Sequence, residues 1–346
     1  MTGPGPSPSA DLPVRAVPPA RESVLLINPH SGGGKAERFG LVAESRAHAV
    51  EPVVLAPGDD LVELAEAAVA RGADAVGMAG GDGSLGLVAG VLARHGVAMV
   101  VVPSGTRNHL AMDLGLDRRD VVAALGAFGS AREQLIDLGE VNGRVFVNNV
   151  SLGLYAEIIR SPEYRDAKLE TTLAALPRLL GPESRPLDLS YTDPDGERHT
   201  TAHVVQVSND AYSQLPGSIT SRPRLDSGLL GVITVELPDE PAVTAFRHAV
   251  SAAGSRSLPG YRAWETPVFA VDSSGPIDAG IDGEAVRLTP PLSFTIRPRA
   301  LRIRLPQGTG PSPAARELRA RSRLRGLSSS TVPDPHAGRR AEHHSA

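Results

Sequence analysis

The run Gly80-Gly81-Asp82-Gly83-Ser84 places three glycines and a carboxylate between an apolar run, Ala73 to Met78, and an apolar stretch, Leu85 to Leu92. Glycines at a strand-to-helix junction let backbone N–H groups approach a bulky anion, and the start of a helix favours negative charge. An aspartate there would repel a phosphate unless a cation lay between them, so the combination predicts a phosphate held with Mg2+, and hence a nucleotide. Two more loops end apolar runs. Asn28-Pro29-His30-Ser31-Gly32 follows Val24 to Ile27, and Ser104-Gly105-Thr106-Arg107-Asn108 follows Val97 to Val102. Each of these two also reads as an ordinary βα turn. The middle loop does not, because a plain turn has no need of an aspartate between glycines.

Rival motifs fail on the same residues. Gly33-Gly34-Lys35 resembles the end of a P-loop, but Pro29 stands where that pattern needs glycine and Ala36 where it needs Ser or Thr. Gly81-Asp82-Gly83-Ser84-Leu85-Gly86 matches G-x-G-x-x-G, but after the third strand rather than the first. No paired-histidine spacing supports a zinc hydrolase. His109, in the first turn of a helix, reads as a surface or supporting residue before a phosphate ligand.

The elements that must position these loops alternate. Val24 to Ile27, Val53 to Leu55, Asp74 to Met78 and Val97 to Val102 read as buried strands, with helices at Ala36 to Val50 and Asp59 to Ala70 between them. Such alternation predicts a doubly wound parallel sheet that gathers ligands at the carboxyl ends of its strands. After about residue 130 the texture becomes β-rich, with strands expected at Gln134 to Leu138, Arg144 to Val150, Leu187 to Tyr191, His203 to Val207, Leu229 to Leu237, Tyr261 to Asp272 and Leu292 to Leu305. Helices are expected at Thr171 to Leu180 and Pro241 to Ala253. The leucines of the first could wall an apolar groove or simply pack on a sheet. The fold class read from this is α/β plus β: a parallel-sheet domain over residues 22–130 and a β-sandwich over 131–305, whose last strand can pack back on the first domain. A disordered leader is expected over 1–21 and a disordered basic tail over 306–346.

At 346 residues the chain has room for two cores, and a net charge of −4 argues against nucleic acid as a partner. It has no cysteine, which suits a cytoplasmic protein, and no apolar run long enough to span a membrane. Any membrane contact would be peripheral, with the arginines of the tail as its means.

Taken in order, six motifs resemble the superfamily of diacylglycerol kinases, sphingosine kinases and NAD kinases, most closely its bacterial soluble lipid kinases, over about residues 22 to 305. The carriers are the three loops above, Ile136-Asp137-Leu138-Gly139, Asp226-Ser227-Gly228-Leu229-Leu230 and Ile281-Asp282-Gly283-Glu284. The resemblance implies an ATP- and Mg2+-dependent kinase acting on a hydroxyl of a lipid or lipid-like alcohol, with ATP in the cleft between the two domains. It implies that Asn28, Pro29, Ser31 and Gly32, then Gly80, Gly81, Asp82, Gly83 and Ser84, then Ser104, Gly105, Thr106 and Asn108 line the nucleotide, with Asp82 acting on its Mg2+. Glu284 resembles the family's proton acceptor, with Asp282 beside it. Asp137 resembles a carboxylate reaching the metal through water, and Asp226 belongs to a loop that is a structural metal site in some relatives. A homodimer is compatible with the family.

The chain departs from the family pattern in four places. Ser84 stands for the usual Thr, Leu87 and His109 stand where carboxylates are usual, and Ser208-Asn209-Asp210 replaces an expected Asn-Gly. An NAD kinase and a nucleotide- or lipid-binding regulator without catalysis are the alternative expectations. On residues alone, Ile281-Asp282-Gly283-Glu284 also reads as a hairpin turn.

Overall fold

The computed structural model describes residues 14–153, 186–213, 221–237, 239, 241–245 and 260–328. Its first half runs β1 (Arg15–Val17), β2 (Ser23–Ile27), α1 (Lys35–Arg38), α2 (Leu41–Ala47), β3 (Glu51–Val54), α3 (Leu61–Ala70), β4 (Ala75–Ala79), α4 (Asp82–His95), β5 (Ala98–Val102) and α5 (His109–Asp113), followed by a 3-10 turn at Ala123–Phe128. From Val24 on, the central strands β2, β4 and β5 carry only apolar residues because both faces are covered. Val24, Leu26, Val76, Met78, Met99 and Val101 pack with Leu61, Ala65, Val88 and Leu92 of α3 and α4. Leu25, Ile27, Ala75, Val100 and Val102 point the other way, onto Leu41, Leu125 and Phe128. The period of two along each strand thus feeds two helix layers, the mark of a doubly wound sheet. β2 pairs in parallel with both β3 and β4, and β4 with β5. The order therefore reverses beside β2, where such sheets leave a crevice at the carboxyl ends of their strands.

The second half runs β6 (Ala131–Val141), β7 (Arg144–Phe146), β8 (Asn149–Gly153), β9 (Leu187–Thr192), β10 (Arg198–Ala202), β11 (Val204–Asn209), β12 (Leu230–Val235), β13 (Tyr261–Thr266), β14 (Val268–Val271), β15 (Ile277–Ile281), β16 (Glu284–Leu288), β17 (Leu292–Pro306) and α6 (Pro313–Ser328). Six of these strands form an antiparallel sheet in the order β13-β12-β11-β8-β15-β16. Its apolar face, including Val150, Val205, Val207, Val232 and Ile281, packs on Val141, Phe146, Leu189, Phe269, Leu292 and Phe294. Those partners come from β7, β9, β14, the end of β6 and the start of β17, so the second core is closed partly by strands of the first sheet.

Several expectations are corrected. The leader expected over 1–21 is broken by β1, whose residues pair with Ala131 to Glu133 at the start of β6. The boundary expected at residue 130 falls just before β6, a strand of the first sheet. The helix expected over Ala36 to Val50 is two helices, because Gly40 adopts φ 59°, a left-handed conformation that ends one helix before the next begins. The strand expected over Tyr261 to Asp272 divides at Pro267, where the chain leaves β12 of the six-stranded sheet to pair with β17. Of the tail expected to be disordered over 306–346, residues 313–328 form α6, which opens with Ser312 and Pro313, the Ser312 hydroxyl accepting the Ala315 N–H, and residues 329–346 lie outside the described residues. The helix expected at Thr171 to Leu180, with its groove, lies outside the described residues. Of the one expected at Pro241 to Ala253, residues 241–245 are described and helical.

Candidate active site

The three glycine loops follow β2, β4 and β5, and they meet backbone on backbone. Gly105 lies so close to the middle loop that a Cβ there would stand 2.5 Å from the Gly81 Cα and 3.0 Å from the Gly80 carbonyl oxygen. Gly32, at φ 57°, is pressed on the third loop, where a Cβ would come within 2.2 Å of the Ser104 carbonyl oxygen. Lys35 at the start of α1 reaches back and donates from Nζ to the Gly105 carbonyl at 3.1 Å. Partial burial, then the nearby charges of Arg118 and Arg38, hold its pKa below the ordinary lysine value. The Ser104 hydroxyl is fully buried and has no hydrogen-bond partner among the described residues.

Asp82 begins α4 and is 7% exposed. Its two oxygens accept the backbone N–H groups of His109 at 3.1 Å and Leu110 at 3.3 Å, so it fastens the start of α5 to the start of α4. Asn108 precedes α5 in a left-handed conformation, φ 57°. Its carboxamide closes the third loop on itself: Oδ1 accepts the Gly105 N–H at 2.9 Å and Nδ2 donates to the Gly105 carbonyl at 2.7 Å. Asn28 does the same for the first loop, accepting the His30 N–H at 3.0 Å.

From the second half, the hairpin β15–β16 reaches this edge. Ile281 pairs with Glu284 across a two-residue turn in which Asp282 and Gly283 both have positive φ, 48° and 87°. That is the geometry Asp-Gly favours. The hairpin reading and the site reading of Ile281 to Glu284 therefore hold together. The exposed Glu284 side chain fills the space beside Gly83, where a Cβ would stand 2.6 Å from its Cγ and 3.0 Å from its Oε1. One turn along α4, a Cβ at Gly86 would lie 2.7 Å from Asp282 Oδ2. Asp282 is buried and accepts the N–H groups of Val147 at 2.8 Å, Asn148 at 2.7 Å and Asn149 at 3.2 Å. Burial pushes its pKa up to about 7, with the charge of Asp82 adding to the rise against the pull of those three donors.

A second acidic group lies around β6. Asp137 is fully buried and accepts the N–H groups of Gly228 at 2.6 Å and Arg299 at 2.7 Å. Asp210, at the end of β11, has its pKa raised to about 7 by burial and by the charge of Asp137. Its Oδ2 and the Oδ1 of neighbouring Asn209 are buried without a hydrogen-bond partner among the described residues. Asp226 accepts from Arg224 Nε at 3.2 Å; burial holds the Asp137 pKa above the ordinary carboxylate value, and the Asp226 charge adds to that rise.

Between the two groups runs a buried cation. Arg222 is 1% exposed and its Nε donates to Asp113 Oδ2 at 2.7 Å, at the end of α5. Its Nη1 donates to the carbonyls of Val147 at 2.6 Å and Asn209 at 2.8 Å, and its Nη2 to Asn148 Oδ1 at 2.7 Å. Burial opposes this charge, but the Asp113 carboxylate outweighs it and raises the guanidinium pKa.

The structure thus gathers Gly32, Gly80, Gly81, Asp82, Gly83, Ser104, Gly105, Asp282 and Glu284 at one edge, and sets Asp137 and Asp226 in a separate cluster. Thr106 is exposed on the third loop. Asn108 is buried, with both ends of its carboxamide engaged inside its own loop. Sequence reasoning missed Asp113, Arg222 and Asp210. An isolated arginine in a β-rich half reads as surface, and the Arg222-Pro223 pair carries no motif. The orphan acceptor on Asp210 emerges only once β6 and β11 are side by side.

Residues 22–141 match the family model of the diacylglycerol kinase catalytic domain. Over 306 residues the chain is 28% identical to a Pseudomonas aeruginosa protein named "Probable lipid kinase YegS-like", covering 86% of this chain and 98% of that one. Over 120 residues it is 36% identical to a Mycobacterium tuberculosis protein named "Diacylglycerol kinase", covering 34% and 39%. A solved structure of a diacylglycerol kinase from Bacillus anthracis str. Sterne superposes with a TM-score of 0.58 at 16% identity, covering 84% of this chain and 98% of that one, which shows the fold. Its two-sheet architecture and converging glycine loops are thus similar to those of diacylglycerol kinases, and residues 22–141 carry the likeness to their catalytic domain.

Proposed function

We propose that this protein is an ATP-dependent lipid kinase that transfers the γ-phosphate to a hydroxyl group of a diacylglycerol-like or sphingoid-like molecule. The observation that carries the reading is the packing of Glu284 on Gly83, which sets a carboxylate from the second sheet beside the glycine loop of the first. Phosphoryl transfer needs alignment and charge compensation more than covalent help from the protein. The N–H groups of Gly80 to Ser84, the start of α4 and the buried Ser104 hydroxyl would receive the phosphates. Glu284 would take the proton of the substrate hydroxyl as its oxygen bonds to phosphorus and ADP departs.

Mg2+ fits the donor set, since every candidate ligand is a hard oxygen. It would offset the phosphate charge, held by the lone pairs that Asp82 keeps beyond its two N–H acceptances. A second cation fits beside Asp137 and Asp226, where the unpartnered acceptors of Asn209 and Asp210 are buried. Among the described residues no helix is long and apolar enough to cross a membrane. The lipid would therefore be reached from the membrane surface, with the arginines of α6 as a means of attraction.

The test is phosphate transfer from ATP by the purified full chain with Mg2+, offered diacylglycerol, a sphingoid base, a bacterial lipid extract and NAD in parallel. Labelled phosphate in a lipid product is expected. Turnover of NAD alone, or ATP binding without turnover of any acceptor, would overturn the reading.

A further inference from the structure

The two carboxylates that face the reacting groups come from different sheets, and one buried polar chain joins them. Asp82 holds the first turn of α5 through His109 and Leu110. Asp113 ends the same five-residue helix and pairs with Arg222. Arg222 then grips Val147 and Asn148, the segment whose N–H groups hold Asp282. Asp282 is two residues before Glu284 in a tight turn, and both lie against α4, where the chain returns to Asp82. The circuit closes around the site. Its members are buried: Asp113 is 8% exposed, Asn148 2% and Arg222 1%.

Arginine suits the crossing point. Its planar fork donates in several fixed directions at once, whereas a lysine presents a point charge. Here the directions are divided between domains, with Nε toward α5 and both terminal nitrogens toward the second half. The backbone N–H of Arg222 adds a second bond to Asp113, at 3.0 Å. Tyr212 stands beside the guanidinium, 5.8 Å from ring centroid to Cζ, and accepts from Asn149. The Arg222 contact with Asn209 extends the grip to the Asp137 cluster, because Asn209 Nδ2 donates to the Asp137 carbonyl at 2.9 Å.

We infer that Arg222 is a positioning residue for phosphoryl transfer: through Asp113 on one side and Val147–Asn148 on the other, it fixes the Glu284 hairpin relative to the Asp82 loop. This rests on the kinase reading above, in which Asp82 and Glu284 face the reacting groups. A misplacement of about 1 Å at such a distance from the chemistry can cost on the order of 10²-fold in rate. Binding of ATP depends on the glycine loops, which Arg222 does not touch.

The experiment compares the full-length wild type with Arg222→Lys, Asn148→Ala and His199→Gln. Arg222→Lys keeps a cation for Asp113 but loses the fork. Asn148→Ala removes one acceptor of the fork and is the milder change. His199→Gln disturbs a polar cluster remote from the site and serves as a control for lost stability. Expected for Arg222→Lys is a fall in kcat of roughly 10²-fold with KM for ATP changed less than about threefold. A smaller fall in kcat is expected for Asn148→Ala and none for His199→Gln at a temperature where all are folded. Hydrogen exchange gives a second readout that needs no turnover: the amides of Val147, Asn148 and Asn149 should exchange faster in Arg222→Lys, with those of β2 and β4 unchanged. Wild-type kcat in Arg222→Lys, or protection of 147–149 equal to wild type, overturns the inference. If the wild-type protein phosphorylates no acceptor, the kinase reading fails and the exchange experiment alone decides whether Arg222 holds the hairpin.

Discussion

At the residue scale, Asp82 and Glu284 differ in how much of the fold rests on them, and their variants should separate accordingly. Glu284 is exposed, so Glu284→Gln should leave Tm within about a degree, as surface changes usually cost no more than ~0.5 kcal/mol. Its loss as a proton acceptor should lower kcat by about 10² to 10⁴. Asp82→Asn sets an NH2 against one of the two N–H groups of α5 that now bond separate oxygens, so it should lose both turnover and about 0.5–2 kcal/mol of stability, the range for a lost helix cap. Steady-state kinetics and thermal melts of both variants check this, and a Glu284→Gln protein with full activity would sink the assignment. His199 tests electrostatics away from the site. Burial works against its charge, but the carboxylates of Asp193 at 3.1 Å and Glu236 at 3.0 Å prevail and raise its pKa above the ordinary imidazole value. The folded state therefore binds the proton more tightly than the unfolded chain, so the stabilisation is complete below about pH 6.5 and is lost as pH rises through the raised folded value. The Tm difference between wild type and His199→Gln should be larger at pH 6 than at pH 9. An equal difference at both would show that the charge contributes nothing.

At the scale of elements, glycines in similar loops do different work. Gly83→Ala would push against a flexible, exposed glutamate that can swing aside, so the variant should fold near wild-type stability while kcat falls through displacement of Glu284. Gly105→Ala would meet the backbone of Gly80 and Gly81, which cannot move without parting the two loops. It should lose several degrees of Tm as well as ATP binding, measured by melting and by nucleotide titration. This division also marks what was legible in the sequence. The strand-end loops could be read because each is local: an apolar run, a glycine cluster and the start of a helix lie within about a dozen residues. The approach of Gly105 to Gly81 and the acceptance of α5 by Asp82 depend on β4 and β5 lying side by side, which parallel pairing predicts only in outline. Glu284 was legible by its place in a series of motifs, since its local signal is that of any Asp-Gly hairpin. The bonds Asn108 makes within its own loop were not legible, because a carboxamide at a left-handed position can bond its own loop as readily as a ligand. Arg222 was invisible, since nothing in its surroundings in the chain tells that it is buried against Asp113, 109 residues earlier.

At the scale of the whole molecule, the family match ends at residue 141 but the sheet does not. β17, from the far end of the chain, lies between β5 and β6 in the order β6-β17-β5. It pairs in parallel with β5 at Ile303 and Met99, and antiparallel with β6 from Phe294 to Pro306. Leu301, Ile303 and Leu305 of β17 lie in the core beneath α4, at 0%, 0% and 4% exposure. Burying three such side chains contributes about 1.5–3 kcal/mol each, a total comparable with the ~5–15 kcal/mol by which a whole domain is stable. A fragment of residues 14–141 would also leave β5 with an open edge of backbone donors and acceptors and expose the apolar face that β17 covers. The long-range pairing of residue 303 with residue 99 is also what local strand patterning could not foretell: the alternation in β17 shows that it is a strand, not where it inserts. The half that carries the glycine loops should therefore not fold without β17. Expressed alone, residues 14–141 should give a collapsed backbone spectrum in two-dimensional NMR and no cooperative thermal transition. The chain over residues 14–328 should give both a dispersed spectrum and a sharp melt. A dispersed, cooperatively melting 14–141 fragment would mean that the parallel sheet closes without β17, and that the two halves are joined by packing rather than by a shared strand.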